Sequence, residues 1–131
     1  MADYFFDTTV LVAYFKKEDT QTHGLFARIL NGQVIAAISA ITIAELWSTS
    51  EITDQTAKSE RVATIDLFEI VTVDRQIAER GGELRRIYNL ALPDALIAAC
   101  AEREGGQFFS KDPHFKRLVD AKVLIGSVYA E

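Results

Sequence analysis

At 131 residues the chain has the size of one domain, and its 49% hydrophobic and 25% charged residues are the balance of a soluble globular protein. The net charge of −5 excludes a broad basic footprint for nucleic acid, although clustered acids can still bind cations that in turn bind phosphate. A single cysteine, Cys100, excludes an internal disulfide, and the sequence holds neither a secretion signal nor an apolar run near the roughly 20 residues of a membrane span. The expectation is one cytoplasmic domain, not bound to membrane.

The predicted elements alternate between strand and helix. An aromatic strand over 3–6 ends at Asp7, and Val10 to Phe15 begins a short helix. Lys16-Lys17-Glu18-Asp19 is a polar break. Asp19 or Thr20 then caps a helix through His23, Leu25, Phe26, Ile29 and Leu30, with Phe26, Ile29 and Leu30 on one face. Asn31-Gly32 stops it. Residues 34–38 read as a buried strand, and 41–50 as a helix carrying Glu45 and Trp47. Asp54 caps a helix over about 55–67, with Val62, Ile65 and Leu67 inward. A third strand spans 69–73, and Asp74 caps a helix through Ile77, Leu84, Ile87 and Tyr88. Gly81-Gly82 inside that helix costs roughly 1 kcal/mol per glycine against alanine, which points to a kink or close packing. Pro93 suits the first turn of a helix over 94–102 that is apolar nearly all round, so it should be the most buried. Gly105-Gly106 ends it. A fourth strand at 107–110 is followed by Lys111-Asp112-Pro113, a short helix over 115–119 and an edge strand at 123–125.

Short, continuously apolar strands alternating with helices specify an α/β fold in three layers, a parallel sheet with helices on both faces. Such sheets place ligand sites at the carboxyl ends of their strands. Asp7 ends the first strand and Asp112 follows the fourth. Glu45 and Asp94 lie in early turns of helices that begin at the same edge. Four acids distant in sequence are thus predicted to meet in one crevice. Asp7 carries most weight, because burying an unpaired charge among Phe5, Phe6, Val10 and Leu11 costs several kcal/mol. Each of the others has a plainer reading. Thr42-Ile43-Ala44-Glu45 has the form of a capping box, Asp94 is a common first-turn acid, and Asp112 before Pro113 is a normal turn residue. Together the acids form an all-oxygen set suited to Mg²⁺ or Mn²⁺, and the matching chemistry is phosphodiester hydrolysis. Lys111, Lys116, Arg117 and Lys122 follow the fourth strand and either hold a phosphate backbone or form a solvated face.

Other sites are weakly supported. Neither G-x-S-x-G, C-x-x-C nor H-E-x-x-H occurs, and no phosphate-binding glycine loop follows a strand. Cys100 reads as core. A phosphatase with an aspartate nucleophile would want a second acid two residues after Asp7, where Thr9 stands.

Four segments, Asp7-Thr8-Thr9-Val10-Leu11, Ile43-Ala44-Glu45-Leu46, Leu92-Pro93-Asp94-Ala95-Leu96-Ile97-Ala98-Ala99 and Ser110-Lys111-Asp112-Pro113-His114-Phe115, resemble in order the motifs of the PIN-domain nucleases, above all single-domain toxins of the VapC type. The resemblance implies a sheet of order 3-2-1-4-5 and an endoribonuclease dependent on Mg²⁺ or Mn²⁺. It carries over Asp7, Glu45, Asp94 and Asp112 as catalytic, metal-site acids, with Thr9 and Ser110 assisting them through hydrogen bonds. It also implies RNA as substrate, a homodimer, and an antitoxin partner that covers the site. The competing expectation is a PIN-like domain that binds or regulates without cutting.

Overall fold

The computed structural model describes residues 1–49 and 52–129. Its centre is the strand β1 (Tyr4–Phe6), flanked by β2 (Ala36–Ser39) and β4 (Gln107–Ser110), with β3 (Glu69–Val71) and β5 (Gly126–Val128) at the edges. All pairings are parallel, and the order is β3-β2-β1-β4-β5. Phe6 lies in register with Ile38 on one side and Phe109 on the other.

Alternation along each strand divides the core in two. Phe5, Ala37 and Phe108 face one side, and Tyr4, Phe6, Ile38 and Phe109 the other. The first side is covered by α5 (Arg75–Tyr88) and α6 (Leu92–Glu104), and the second by α1 (Thr8–Lys16) and α2 (Thr20–Leu30). Because both faces are covered, the central strands β1, β2 and β4 read as nearly continuous apolar runs. The remaining helices are α3 (Ala40–Trp47), α4 (Gln55–Ile65) and α7 (Lys116–Asp120), the last preceded by a 3₁₀ turn at Pro113–Phe115. As expected, α6 is deeply buried, from Ala95 through Ala101 with Leu96 alone partly exposed. Asp19, Asp54 and Asp74 cap their helices through a side-chain oxygen that accepts from Thr22, Ala57 and Ile77 N–H.

Several expectations need correction. The last strand is not 123–125 but 126–128. Leu124 turns into the core and Ile125 is 77% exposed, while Gly126 lies so close to the Phe108 carbonyl that only a residue without a Cβ fits. In α2 the inward positions are Thr22, Leu25, Phe26 and Ile29; Leu30 lies one step further round and is exposed. In α4 the inward face is Arg61 and Thr64, with Ile65 partly buried, whereas Val62 and Leu67 are exposed. The Arg61 guanidinium covers the Phe15 ring at 3.9 Å, so its long stem takes the place expected of an aliphatic side chain. The second strand starts at Ala36, leaving Ile35 exposed before it, and the third ends at Val71. The predicted helix over 41–50 ends at Trp47, and its last position lies outside the described residues. The α5 helix runs through Gly81-Gly82 without a break. A Cβ on Gly81 would sit 2.7 Å from Leu96 Cδ2, so the glycine serves close packing of α5 on α6.

Candidate active site

The order β2-β1-β4 makes β1 the point where the sheet changes winding direction, the place at which open α/β sheets leave a crevice. Asp7 alone connects β1 to α1, so its position follows directly from the two elements it joins. Ser39 likewise ends β2 and caps α3, its Oγ accepting from Ile41 N–H at 3.0 Å. That cap removes the capping-box reading of Glu45. The helix begins before Thr42, and Glu45 stands a turn further in, where its side chain reaches the cavity instead of the helix end.

Asp7, Glu45, Asp94 and Asp112 line one open cavity of about 460 Å³ at the carboxyl edge of the sheet. Thr8, Thr9, Glu18 and Lys111 share the lining, with Val12 and Ile97 as its apolar wall. Five carboxylates thus face one ammonium. Among the described residues, no three acidic, histidine or cysteine side chains are drawn together tightly enough to form a ready metal cluster.

Asp7 is 2% exposed, and neither carboxylate oxygen caps α1. Instead Oδ1 accepts from Thr9 Oγ1 at 2.6 Å and Oδ2 from Ser110 Oγ at 2.9 Å. These hydroxyls are fixed in turn, since Thr9 Oγ1 accepts from Lys111 N–H at 2.8 Å and Ser110 Oγ from Asp112 N–H at 2.9 Å. Thr9 in the first turn of α1, Ser110 at the end of β4 and the two residues that follow it thereby hold one carboxylate in a single orientation. Burial pushes the Asp7 carboxyl up to about 7, the two hydroxyls oppose that, and the Asp112 charge adds to it. Asp94, in the first turn of α6, is also raised, first by burial and then by Asp112 and Glu45. Glu45 Oε1 accepts from Thr8 Oγ1 at 2.5 Å, and Thr8 lies 3.0 Å from Thr42 Oγ1. Asp112 caps the 3₁₀ turn, its Oδ1 accepting from His114 N–H at 2.9 Å and lying 2.8 Å from His114 Nδ1.

The site is thus rich in negative charge held by neutral hydroxyls. Its donors are oxygens, and its most buried acid is raised by burial and by the Asp112 charge. This donor set fits a hard divalent cation such as Mg²⁺ or Mn²⁺.

Of the predicted basic residues, only Lys111 lines the cavity, and it is engaged. Its ammonium pairs with Asp19, whose side chain is fully buried, and with Glu18 Oε2 at 3.3 Å. Lys116 pairs with Asp120, and Arg117 donates to the Tyr88 carbonyl at 3.0 Å. Cys100 is core, its thiol donating to Ser39 Oγ at 3.4 Å. Sequence reasoning missed three participants. Thr8 follows Asp7 directly and was within reach of the same argument. Glu18 and the second role of Asp19 were not, because a polar loop carries no periodic signal and Asp19 had already been assigned to a cap.

Known proteins share this fold. No curated protein matches the sequence. Among solved structures, the fold is similar to a chain of VapBC2 from Rickettsia felis bound to a promoter DNA fragment, at TM-score 0.77 and 23% identity over 97% of this chain and 98% of that one. It is similar to a chain of DNA-bound VapBC from Salmonella typhimurium, at TM-score 0.79 and 20% identity over 99% and 100%. It is similar also to a chain of a toxin–antitoxin complex from Klebsiella pneumoniae, at TM-score 0.69 and 26% identity over 86% and 89%. The family model of the PIN domain matches residues 4–121, so the chain belongs to the PIN-domain family.

Proposed function

We propose that this PIN domain is an endoribonuclease dependent on Mg²⁺ or Mn²⁺, the toxin of a toxin–antitoxin pair, working in the cytoplasm as a homodimer under control of a cognate antitoxin. The observation that carries the nuclease reading is the convergence of Asp7, Glu45, Asp94 and Asp112 on one open cavity at the sheet's switch point. The toxin reading is supported by the likeness to a chain of the Klebsiella toxin–antitoxin complex.

Asp7, Asp94 and Asp112 would hold the divalent ion, and Glu45 would complete the site or orient the attacking water. A bound ion of this kind supplies charge stabilisation and an activated water. The chain's own contribution is placement. Thr9 and Ser110 hold the two Asp7 oxygens, Thr8 holds Glu45, and Val12 and Ile97 wall one side against solvent. In the reaction the water oxygen bonds to phosphorus, the bond from phosphorus to the leaving ribose oxygen breaks, and that oxygen takes a proton.

The test is cleavage of a mixed RNA pool by the purified chain with Mg²⁺ or Mn²⁺, against EDTA and against Asp94→Asn. Chelator-sensitive cleavage that Asp94→Asn loses is the expected result. An RNA pool left whole by a folded, metal-loaded chain would refute the reading and leave a PIN-like binding module.

A further inference from the structure

The cavity sets five carboxylates around a single cation, and a polyanion must approach it. An entering phosphate therefore meets repulsion from every charged group in the lining except Lys111. Lys111 is built into its position. Its backbone N–H donates to Thr9 Oγ1, next to the hydroxyl's own bond to Asp7, so the residue is tied to the central acid. Its ammonium is anchored by Asp19, which is immobile because its other oxygen caps α2 at Thr22 N–H. The Tyr129 ring lies 5.7 Å from the same ammonium and is fixed by its hydroxyl, 2.6 Å from Thr22 Oγ1.

Glu18 is held differently. Its side chain is 44% exposed, it makes the longer contact with the ammonium at 3.3 Å, and it too lines the cavity. An ammonium has three donors, so two partners do not exhaust it. One partner is thus locked and the other loose, on the side open to solvent.

We propose that Lys111 is the substrate-phosphate anchor of this site, exchanging Glu18 for a phosphate oxygen of the bound strand while Asp19 keeps the ammonium in place. The proposal rests on the nuclease reading. It makes Glu18 an internal competitor that occupies the anchor when no strand is bound and is displaced by a phosphate of like charge. It also makes Lys111 a binding residue, with no part in the bond changes.

The experiment measures binding, separately from cleavage. The affinity of a short fluorescein-labelled single-stranded RNA for the chain is read by anisotropy in EDTA over a series of salt concentrations. Glu18→Gln removes the competitor at an exposed position and should bind several-fold tighter than wild type. Lys111→Gln should bind at least tenfold weaker, and the slope of log affinity against log salt should fall by about 0.7, the value of one phosphate contact on a single strand. Because Lys111→Gln also strips the buried Asp19 of its partner, its folding is checked by circular dichroism, and Lys111→Arg should restore the slope. Were Glu18→Gln no tighter than wild type, or the Lys111→Gln slope unchanged, the anchor would be refuted while the nuclease reading stood. A wild-type chain that binds no RNA in EDTA also refutes the anchor, while the nuclease reading is decided separately by the metal-dependent cleavage assay.

Discussion

Replacing Asp7 by Asn should abolish cleavage and, at alkaline pH, make the protein more stable. A carboxyl raised from its ordinary 3.8 to about 7 holds its proton more tightly in the folded chain than in the unfolded one. Its ionisation then opposes folding. The penalty is absent below pH 3.8, grows as pH rises, and is complete above about pH 7, where it amounts to about 4 kcal/mol. Asparagine carries no charge and escapes it. The substitution has its own cost, because Thr9 and Ser110 both donate to Asp7 and an amide can accept from only one of them. Each hydroxyl is already committed as an acceptor to a backbone N–H, so neither turns freely to receive the new NH₂. Against the neutral acid, from which that penalty is reckoned, the lost hydrogen bond costs about 1 kcal/mol. The net expectation is a gain of about 3 kcal/mol near pH 8 that falls below about 1 kcal/mol near pH 5. Urea denaturation of both proteins in EDTA at the two pH values measures it. Added Mg²⁺ should then raise the stability of wild type and leave the variant unmoved. A variant less stable than wild type by the same amount at both pH values would show that Asp7 is not a charge held at a cost, and the argument for a cation at this position would fail.

The remaining predictions separate chemistry from structure at neighbouring positions. Asp112→Asn and Asp112→Ala should both lose cleavage, by about a hundredfold or more; only the alanine variant also loses the cap on the 3₁₀ turn and about 1 kcal/mol of stability, read by thermal melting. Ser110→Ala frees one Asp7 oxygen and should lower cleavage by about 10- to 100-fold with the fold retained, a loss that an unchanged rate would contradict. Gly82→Ala should stabilise the protein by up to about 1 kcal/mol, because open space surrounds that position in α5. Gly81→Ala should gain less than Gly82→Ala, because the new methyl must first push the Leu96 side chain aside. Equal effects in urea titrations of the two would refute the close packing of α5 on α6.

Much of this protein is legible without coordinates. Alternating apolar strands and capped helices announce a parallel three-layer fold, since a strand buried on both faces must be apolar throughout and a helix must start at a cap. Asp7 stands out for the same reason, being a charge in a run that burial demands be neutral. The four acids were placed by topology alone, because helices that follow parallel strands begin at the edge where those strands end. Other features depend on contacts between residues far apart, and there local pattern misleads. Val123-Leu124-Ile125 has the composition of a strand, yet the backbone pairs three residues later, where a glycine permits close approach to β4. Thr42-x-x-Glu45 has the form of a cap, but Ser39 had already closed the helix. Val62 looks inward on its helix, while Arg61 takes that place because the Phe15 ring waits for its guanidinium. The pairing of Lys111 with Asp19 and Glu18 spans about ninety residues and was invisible to any periodicity. Sequence by itself determined the fold class and the acids that gather, because both follow from rules acting within a few residues or along one strand. Only the tertiary structure decided that Thr8 holds Glu45 and that Asp19 and Glu18 neutralise Lys111, because those partners meet through the packing of distant segments that no local rule brings together.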